Sequence, residues 1–226
     1  MDPYAKEELL ACVIARLLEG ARHAAIGASS PIPAAGCFLR KVYDPSFRVS
    51  LQQRRTANPF TEGSRELFDL AGQGRIDVFF LGGAQIDGTA AINLVRADGR
   101  RFPGSFGSAY MYPAVKNVIL FREEHSRRTL VPKVEFVSAR GDPKALLTGK
   151  ALFSWQKDRR RFRLESVHPG HTRDEILKDT GFDFDRGEAE MTEQPSKQEL
   201  SSLRGPVAEA IRQDYPDFAR KVWGLN

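Results

Sequence analysis

Cysteine is scarce in this chain, which has only Cys12 and Cys37 in 226 residues. The two do not form a CxxC pair, and Cys12 lies in an apolar helical pattern, so the sequence predicts neither a disulfide framework nor a zinc site. The four histidines are scattered and the acidic residues lack a ligand-like spacing, so no metal site is predicted. This composition fits a reducing compartment, and we expect a cytoplasmic protein.

Long apolar runs are absent as well. No run approaches the roughly 20 residues that a membrane-spanning helix needs. The N-terminus lacks a basic region followed by an uninterrupted apolar stretch, which is the pattern of an export signal. We therefore expect an unexported protein that does not act at a membrane.

The chain has only a modest excess of positive charge. Lysine and arginine number 34 against 29 acidic residues, and the net charge of +5 is spread along the sequence. Such an excess suits a groove for nucleic acid or a site for a small polyanion equally well. A nucleic-acid-binding α/β domain is therefore one hypothesis, supported by the net charge alone.

The apolar pattern predicts alternating helices and strands. Apolar residues recur at helical spacing over residues 9–18 before Gly20, and Ser30 followed by Pro31 predicts a serine-capped second helix that runs to about Tyr43. The other predicted elements are a helix at residues 64–71 and strands at 24–27, 47–51, 76–81, 118–121 and 134–138.

Two further apolar segments, residues 151–154 and 162–167, flank a charged turn and predict an antiparallel hairpin. Together with the alternation of helices and strands, they predict an α/β fold: an open, mostly parallel sheet with crossover helices and the added hairpin. Residues 1–226 are expected to form one domain with a helical tail from about residue 188.

The segment LGGAQIDG, residues 81–88, follows an apolar run that reads as a buried strand. Two adjacent glycines, Gly82 and Gly83, permit a close approach of the backbone. With Ala84 and Gln85, they would present N–H groups and one carboxamide at the carboxyl edge of a sheet, where open α/β sheets bind ligands. The alternative interpretation is a tight turn with Asp87 as a cap.

Five motifs occur in a fixed order along nearly the whole chain. They are GASSPIP at 27–33, LGGAQID at 81–87, RFPGSFGSA at 101–109, EHSRR at 124–128 and HPGHTRDEILKDTGFDFD at 168–185. In this order and spacing they resemble the β subunit of glutaconate-type CoA-transferases, which belong to the class I CoA-transferase family. The last motif is the most specific.

That resemblance implies an open α/β sheet and an obligate partner, the α subunit, with the active site at the junction of the two chains. The implied substrate is a coenzyme A thioester, and no tightly bound cofactor is implied. In the family a glutamate at the end of the second strand attacks the acyl-CoA and becomes an enzyme–CoA thioester. The position that matches this glutamate is Gln52.

Gln52 casts doubt on covalent transfer because a carboxamide is a poor nucleophile. We interpret Gln52 as a hydrogen-bond donor to a thioester carbonyl or a substrate carboxylate; the alternative is a polar residue satisfied at a strand end. By the same resemblance Gln85 and the glycine turn would surround the pantetheine arm and the thioester.

A second departure from the family is the segment Gly104-Ser105-Phe106-Gly107, where the family usually has GSGGA. One interpretation is that the N–H groups of Gly104 and Gly107 stabilise an oxyanion or enolate while Phe106 excludes water. A flexible connection between strands is an equally good interpretation.

Ser29 and Ser30 precede a predicted helix, where one of them caps the helix and the terminus can also hold an anionic group. Arg54 and Arg55 follow Gln52 and can supply cations to a dicarboxylate-derived acyl group. A solvated surface turn is the alternative for these two arginines.

The sequence is therefore interpreted as the β subunit of a heteromeric CoA-transferase-family enzyme that acts on an acyl-CoA, without a nucleic acid partner. Family members that lack the glutamate are associated with decarboxylation or carbon–carbon hydrolysis of CoA thioesters, so these reactions compete with transfer. A non-catalytic partner of the α subunit is a further hypothesis.

Overall fold

The computed structural model describes residues 4–54 and 60–225, which pack as two compact units. The first unit comprises the chain up to Val78 together with the segment from Gln194 onward, and the second is Phe79–Glu193. Within the described residues, no helix combines the length and the apolar composition that crossing a bilayer requires.

The N-terminal part of the first unit alternates helices and strands as predicted. Its elements are α1 (Lys6–Leu17), β1 (His23–Ile26), α2 (Pro31–Tyr43), β2 (Arg48–Leu51) and α3 (Ser64–Gly72). Strands β1 and β2 are parallel, with His23 opposite Arg48 and Ile26 opposite Leu51. Helix α2 packs on α1 at Gly36, where a Cβ atom would lie 2.5 Å from Cγ2 of Ile14. This helix pair therefore needs a residue without a side chain.

The second unit contains most of the strands. They are β3 (Val78–Leu81), which begins at the unit boundary, β4 (Gln85–Asp87), β5 (Ala91–Asn93), β6 (Arg96–Ala97), β7 (Arg100–Arg101), β8 (Asn117–Arg122), β9 (Leu130–Val131), β10 (Ala139–Arg140), β11 (Ala145–Thr148), β12 (Ala151–Gln156), β13 (Arg161–Val167) and β14 (Glu190–Met191). Two helices complete the unit, α4 (Ser108–Ala114) and α5 (Arg173–Asp179).

The main sheet of this unit has the strand order β14-β13-β12-β11-β8-β3. Strands β8 and β11 are parallel, as are β13 and β14, whereas β11, β12 and β13 form an antiparallel meander. The predicted hairpin is β12–β13 and is confirmed. The predicted fold class, an α/β fold with a large, mostly parallel sheet and an added hairpin, is confirmed too.

A smaller sheet in the same unit was not predicted. Its strand order is β10-β5-β4-β9, and its strands are two or three residues long. The predicted strand at 134–138 is wrong: this described stretch is irregular. Its N–H groups bond to side chains instead of a neighbouring strand, since Val134 donates to Asp87 Oδ2 at 3.1 Å and Glu135 donates to Gln85 Oε1 at 3.0 Å.

The C-terminal part of the first unit is helical, as predicted for the tail. Helix α6 (Lys197–Ser202) continues into a π-helical turn, Leu203–Val207, followed by α7 (Ala208–Arg212) and α8 (Pro216–Trp223). Arg204 in the π-helical turn forms an ion pair with Glu8 of α1, with 2.8 Å between Nε and Oε1. Burial alone would raise the pKa of Glu8, but the hydrogen bonds from Arg204 and the Ala5 N–H lower it overall. This charged contact joins the two ends of the chain.

Candidate active site

Gln52 lies directly after β2, where the sequence predicted the family glutamate position. Its backbone N–H donates to Ile26 O at 3.0 Å and so extends the β1–β2 ladder by one residue. Its side-chain Nε2 is buried and has no hydrogen-bond partner within residues 4–54 and 60–225. A buried amide without a partner costs about 1–3 kcal/mol. A ligand that accepts a hydrogen bond here would remove that cost.

Ser29 and Ser30 lie between β1 and α2, at the same edge of the β1–β2 pair as Gln52. Ser30 is the N-cap residue, but the predicted capping by its side chain is wrong, because its hydroxyl donates to Ala28 O at 3.3 Å. The backbone N–H of Ser30 donates instead to the hydroxyl of Tyr215 at 3.4 Å. Ser29 has a left-handed φ of 59°, a conformation that an ordinary side chain adopts only when its surroundings hold it there.

Arg54 has a carboxylate partner in its own chain. Its guanidinium binds Asp214, with 2.7 Å between Nη2 and Oδ2, and it lies over the ring of Phe38 at 5.5 Å from the centroid. Arg54 is therefore neither part of a solvated turn nor a ready contact for a substrate carboxylate. Arg55 lies outside the described residues.

The glycine turn, Gly82-Gly83-Ala84, connects β3 to β4 in the second unit. The expected close approach of the backbone is to the chain itself. A Cβ atom on Gly83 would lie 2.6 Å from the carbonyl oxygen of Gln85, and one on Gly82 would lie 3.1 Å from that of Phe121. The segment that was expected to turn at Gln85 enters the small sheet instead, as strand β4.

A cavity of 450 Å³ adjoins this turn, and we call it the glycine cavity. It is lined by Gly82, Gly83, Ala84, Leu94, Ala97, Asp98, Phe102, Pro103, Gly104, Arg122 and Arg128. The structure thus brings Gly104 to the glycine turn, as the resemblance implied. Apolar walls with two cations suit an acyl chain that carries an anionic group.

Gln85 is only 4% exposed and supports the turn from inside. Its Nε2 donates to Glu135 Oε1 at 2.8 Å, and its Oε1 accepts from Nδ2 of Asn93 at 2.8 Å. The predicted hydrogen bond from Gln85 to a substrate carbonyl would have to replace the contact with Glu135. The structure therefore gives Gln85 a role in holding β4 against β5.

Phe106 and Gly107 differ from expectation. Gly107 is the N-cap residue of α4, so a helix begins where a loop was predicted. Phe106 is 68% exposed, with a left-handed φ of 47°, and it is not among the residues that line the glycine cavity. Its predicted role of excluding water is therefore not seen in this chain.

Arg122 and Arg128 are site residues that sequence reasoning missed. Both bind Glu124 Oε2, at 3.3 Å from Nη2 of Arg122 and 2.8 Å from Nη2 of Arg128. Burial alone would raise the pKa of Glu124, but the hydrogen bonds from Arg128, Ser126 and Arg122 lower it overall, so the carboxylate stays ionised and fixes both cations. The spacing of four residues within EHSRR was the available signal.

Replacing Gly83 by alanine is expected to lower the free energy of unfolding by about 2 kcal/mol, because the new methyl group overlaps the Gln85 carbonyl. Gly82→Ala is the matched control and should cost less than about 1 kcal/mol, since a small shift relieves its contact with Phe121. Urea unfolding of the two variants measures the difference. Equal losses would show that the close approach at Gly83 is not what fixes the turn.

Comparison with known proteins identifies relatives of the whole chain. The family model "Coenzyme A transferase" matches residues 31–179. The B chain of a 3-oxoadipate CoA-transferase from Pseudomonas knackmussii is 26% identical, and the alignment covers 90% of this chain and 94% of the relative.

Two solved structures share the fold. Glutaconate CoA-transferase from Acidaminococcus fermentans matches with a TM-score of 0.79 and 20% identity, over 90% of this chain and 94% of that chain. The decarboxylase AibA/AibB matches with a TM-score of 0.77 and 23% identity, over 88% of this chain and 93% of that chain.

Proposed function

The chain belongs to the coenzyme A transferase family, and we propose that it is the β subunit of a heteromeric enzyme that decarboxylates an acyl-CoA without covalent transfer of CoA. The proposal of an α-subunit partner is supported by the curated relatives, which are named as the second of two subunits and align over 90% of this chain.

The observation that carries the proposal is the orphaned amide of Gln52. A transferase of this family needs a carboxylate at this position to attack the thioester, and a carboxamide supplies no negative charge. The buried Nε2, which has no partner in the described part of the chain, is suited to donate a hydrogen bond to an oxygen that gains charge. Gln52 would then stabilise the thioester oxygen without being consumed.

Decarboxylation makes direct use of such a donor. The bond to the departing carboxylate breaks, and its electron pair passes through the acyl chain to the thioester oxygen, which becomes an enolate while carbon dioxide leaves. A proton from the medium then restores the thioester. The likeness in fold to the decarboxylase AibA/AibB is consistent with this reaction.

The acyl group that we propose carries a second carboxylate. Support comes from the glycine cavity, whose wall includes both cations fixed by Glu124. Arginine binds a carboxylate through two parallel hydrogen bonds, so Arg122 and Arg128 can recognise the group that leaves.

The test is to co-express this chain with its α subunit and incubate the heteromer with dicarboxylic acyl-CoAs. We expect released carbon dioxide and a shortened acyl-CoA, with no gain in the mass of this chain. A CoA adduct on this chain would overturn the proposal in favour of covalent transfer. A cleaved carbon skeleton would indicate a hydrolase, and an unchanged acyl-CoA would indicate a non-catalytic partner.

A further inference from the structure

Two adjoining clefts of the second unit, which we call together the arginine cleft, are lined by five arginines. The clefts have volumes of 530 and 440 Å³ and share Arg161 and the segment 181–183. The arginines are Arg127, Arg159, Arg160, Arg161 and Arg186. The carboxylate that lines both clefts is Asp183, so the cleft has a strong positive charge.

Only part of this charge is neutralised by the protein. Arg159 pairs with Asp185 at 3.4 Å, and Arg127 donates to Lys178 O at 3.2 Å. The guanidinium groups of Arg160, Arg161 and Arg186 have neither an ion pair nor a hydrogen bond with any residue in the described ranges. Arg161 is half-buried, so its missing partner matters most. Like charges at close range destabilise the fold unless an anion binds among them.

The floor of the arginine cleft is fixed before any ligand binds. The Gly181 N–H donates to Leu130 O at 2.7 Å, and the Asp185 N–H donates to Phe162 O at 2.8 Å. Between these two anchors the buried ring of Phe182 packs on that of Phe162, with 5.6 Å between centroids. The cleft is thus a preorganised site, which lowers the cost of binding.

We propose that the arginine cleft binds a phosphate ester and, building on the proposed function, that this ester is the phosphorylated nucleotide end of the acyl-CoA. Arginine presents a planar fork of donors that matches phosphate oxygens. Asp183 adds an acceptor for the hydroxyl or amino groups of a nucleotide. A free phosphorylated ligand has the same chemistry and is the other possible source of the ester.

The position of the arginine cleft suits one extended ligand. The glycine cavity begins at residues 82–84, before β4, and the arginine cleft includes Gly88 and Thr89, directly after β4. Four residues of extended chain separate Ala84 from Gly88, which is roughly 13 Å. The pantetheine arm of CoA is long enough to span such a separation.

The test compares CoA, dephospho-CoA and pyrophosphate in calorimetric titrations of the heteromer. We expect the double variant Arg160→Gln, Arg161→Gln to weaken CoA binding about 10-fold or more, because it removes charge-assisted hydrogen bonds to phosphate. The KM for an acyl-pantetheine, which lacks the nucleotide, should not change. The control is Arg163→Gln, two residues along β13, where the side chain faces Glu165 at 3.9 Å.

The outcomes separate this inference from the proposed function. Equal CoA affinity in wild type and double variant overturns the arginine cleft as a phosphate site, whatever reaction the enzyme performs. Pyrophosphate binding that the double variant loses, without any binding of CoA, keeps the phosphate site, assigns it to a free ligand and counts against the proposed function. Loss of co-purification with the α subunit would overturn the inference and make the cleft a protein interface.

Discussion

Replacing Gln52 by glutamate is expected to give the heteromer an enzyme–CoA thioester and to raise the exchange of CoA between acids about 100-fold or more. The reason is chemical: the variant has a carboxylate where the family nucleophile stands. The backbone hydrogen bond from residue 52 to Ile26 O does not depend on the side chain, so the position of the new carboxylate is kept. Intact-mass analysis after incubation with acyl-CoA detects the thioester.

Two controls accompany this variant. Gln53→Glu places the same charge one residue further on and should form no thioester. Gln52→Met keeps the length of the side chain but removes the donor, and it should lower kcat about 100-fold if Gln52 stabilises an oxyanion. A Gln52→Glu variant that folds and binds the α subunit but forms no thioester would show that Gln52 does not occupy the nucleophile position.

Acidification from pH 7.5 to pH 5 is expected to lower the free energy of unfolding by about 2 kcal/mol for each of two buried histidines, His125 and His168. His125 lies between the hydroxyls of Thr148 and Thr180, at 2.8 and 3.0 Å. His168 bonds to Thr192 Oγ1 at 2.7 Å and to Thr148 O at 3.0 Å. Burial lowers the pKa of both histidines to about 4 from an ordinary value of 6.5.

The sign follows from proton uptake by the unfolded chain. Between pH 6.5 and pH 4 an unfolded histidine binds a proton that the folded one excludes, so stability is fully present above pH 6.5 and is lost as the pH falls towards 4. Urea unfolding at several pH values measures this. Burial also lowers the pKa of His23, which adds to the loss in the same direction.

A His168→Gln variant should be less stable at pH 7.5 but lose less stability on acidification than the wild type. His171, which is half-buried beside Glu175, provides the control as His171→Gln and should leave the slope unchanged. A wild-type protein equally stable at pH 7.5 and pH 5 would contradict the neutral, buried state of these histidines.

The longer elements and the family were predictable from the sequence. Helix α2 spans the predicted residues, Pro31–Tyr43, because its apolar spacing and its initial proline are local signals. The hairpin of β12 and β13 was predictable for the same reason. The small sheet was not, because its strands are too short to show a period and pair across long separations, such as Ile86 with Leu130.

The candidate site divides in the same way. The sequence alone determined that a glutamine stands at residue 52 and that glycines follow β3, since motifs record which residue occupies each position. Only the tertiary structure decided that the amide of Gln52 is buried without a described partner, that Arg54 is taken by Asp214 and that Arg122 and Arg128 share Glu124. Hydrogen bonds and ion pairs depend on distances in space, and Arg54 meets Asp214 across 160 residues of chain that only folding brings together.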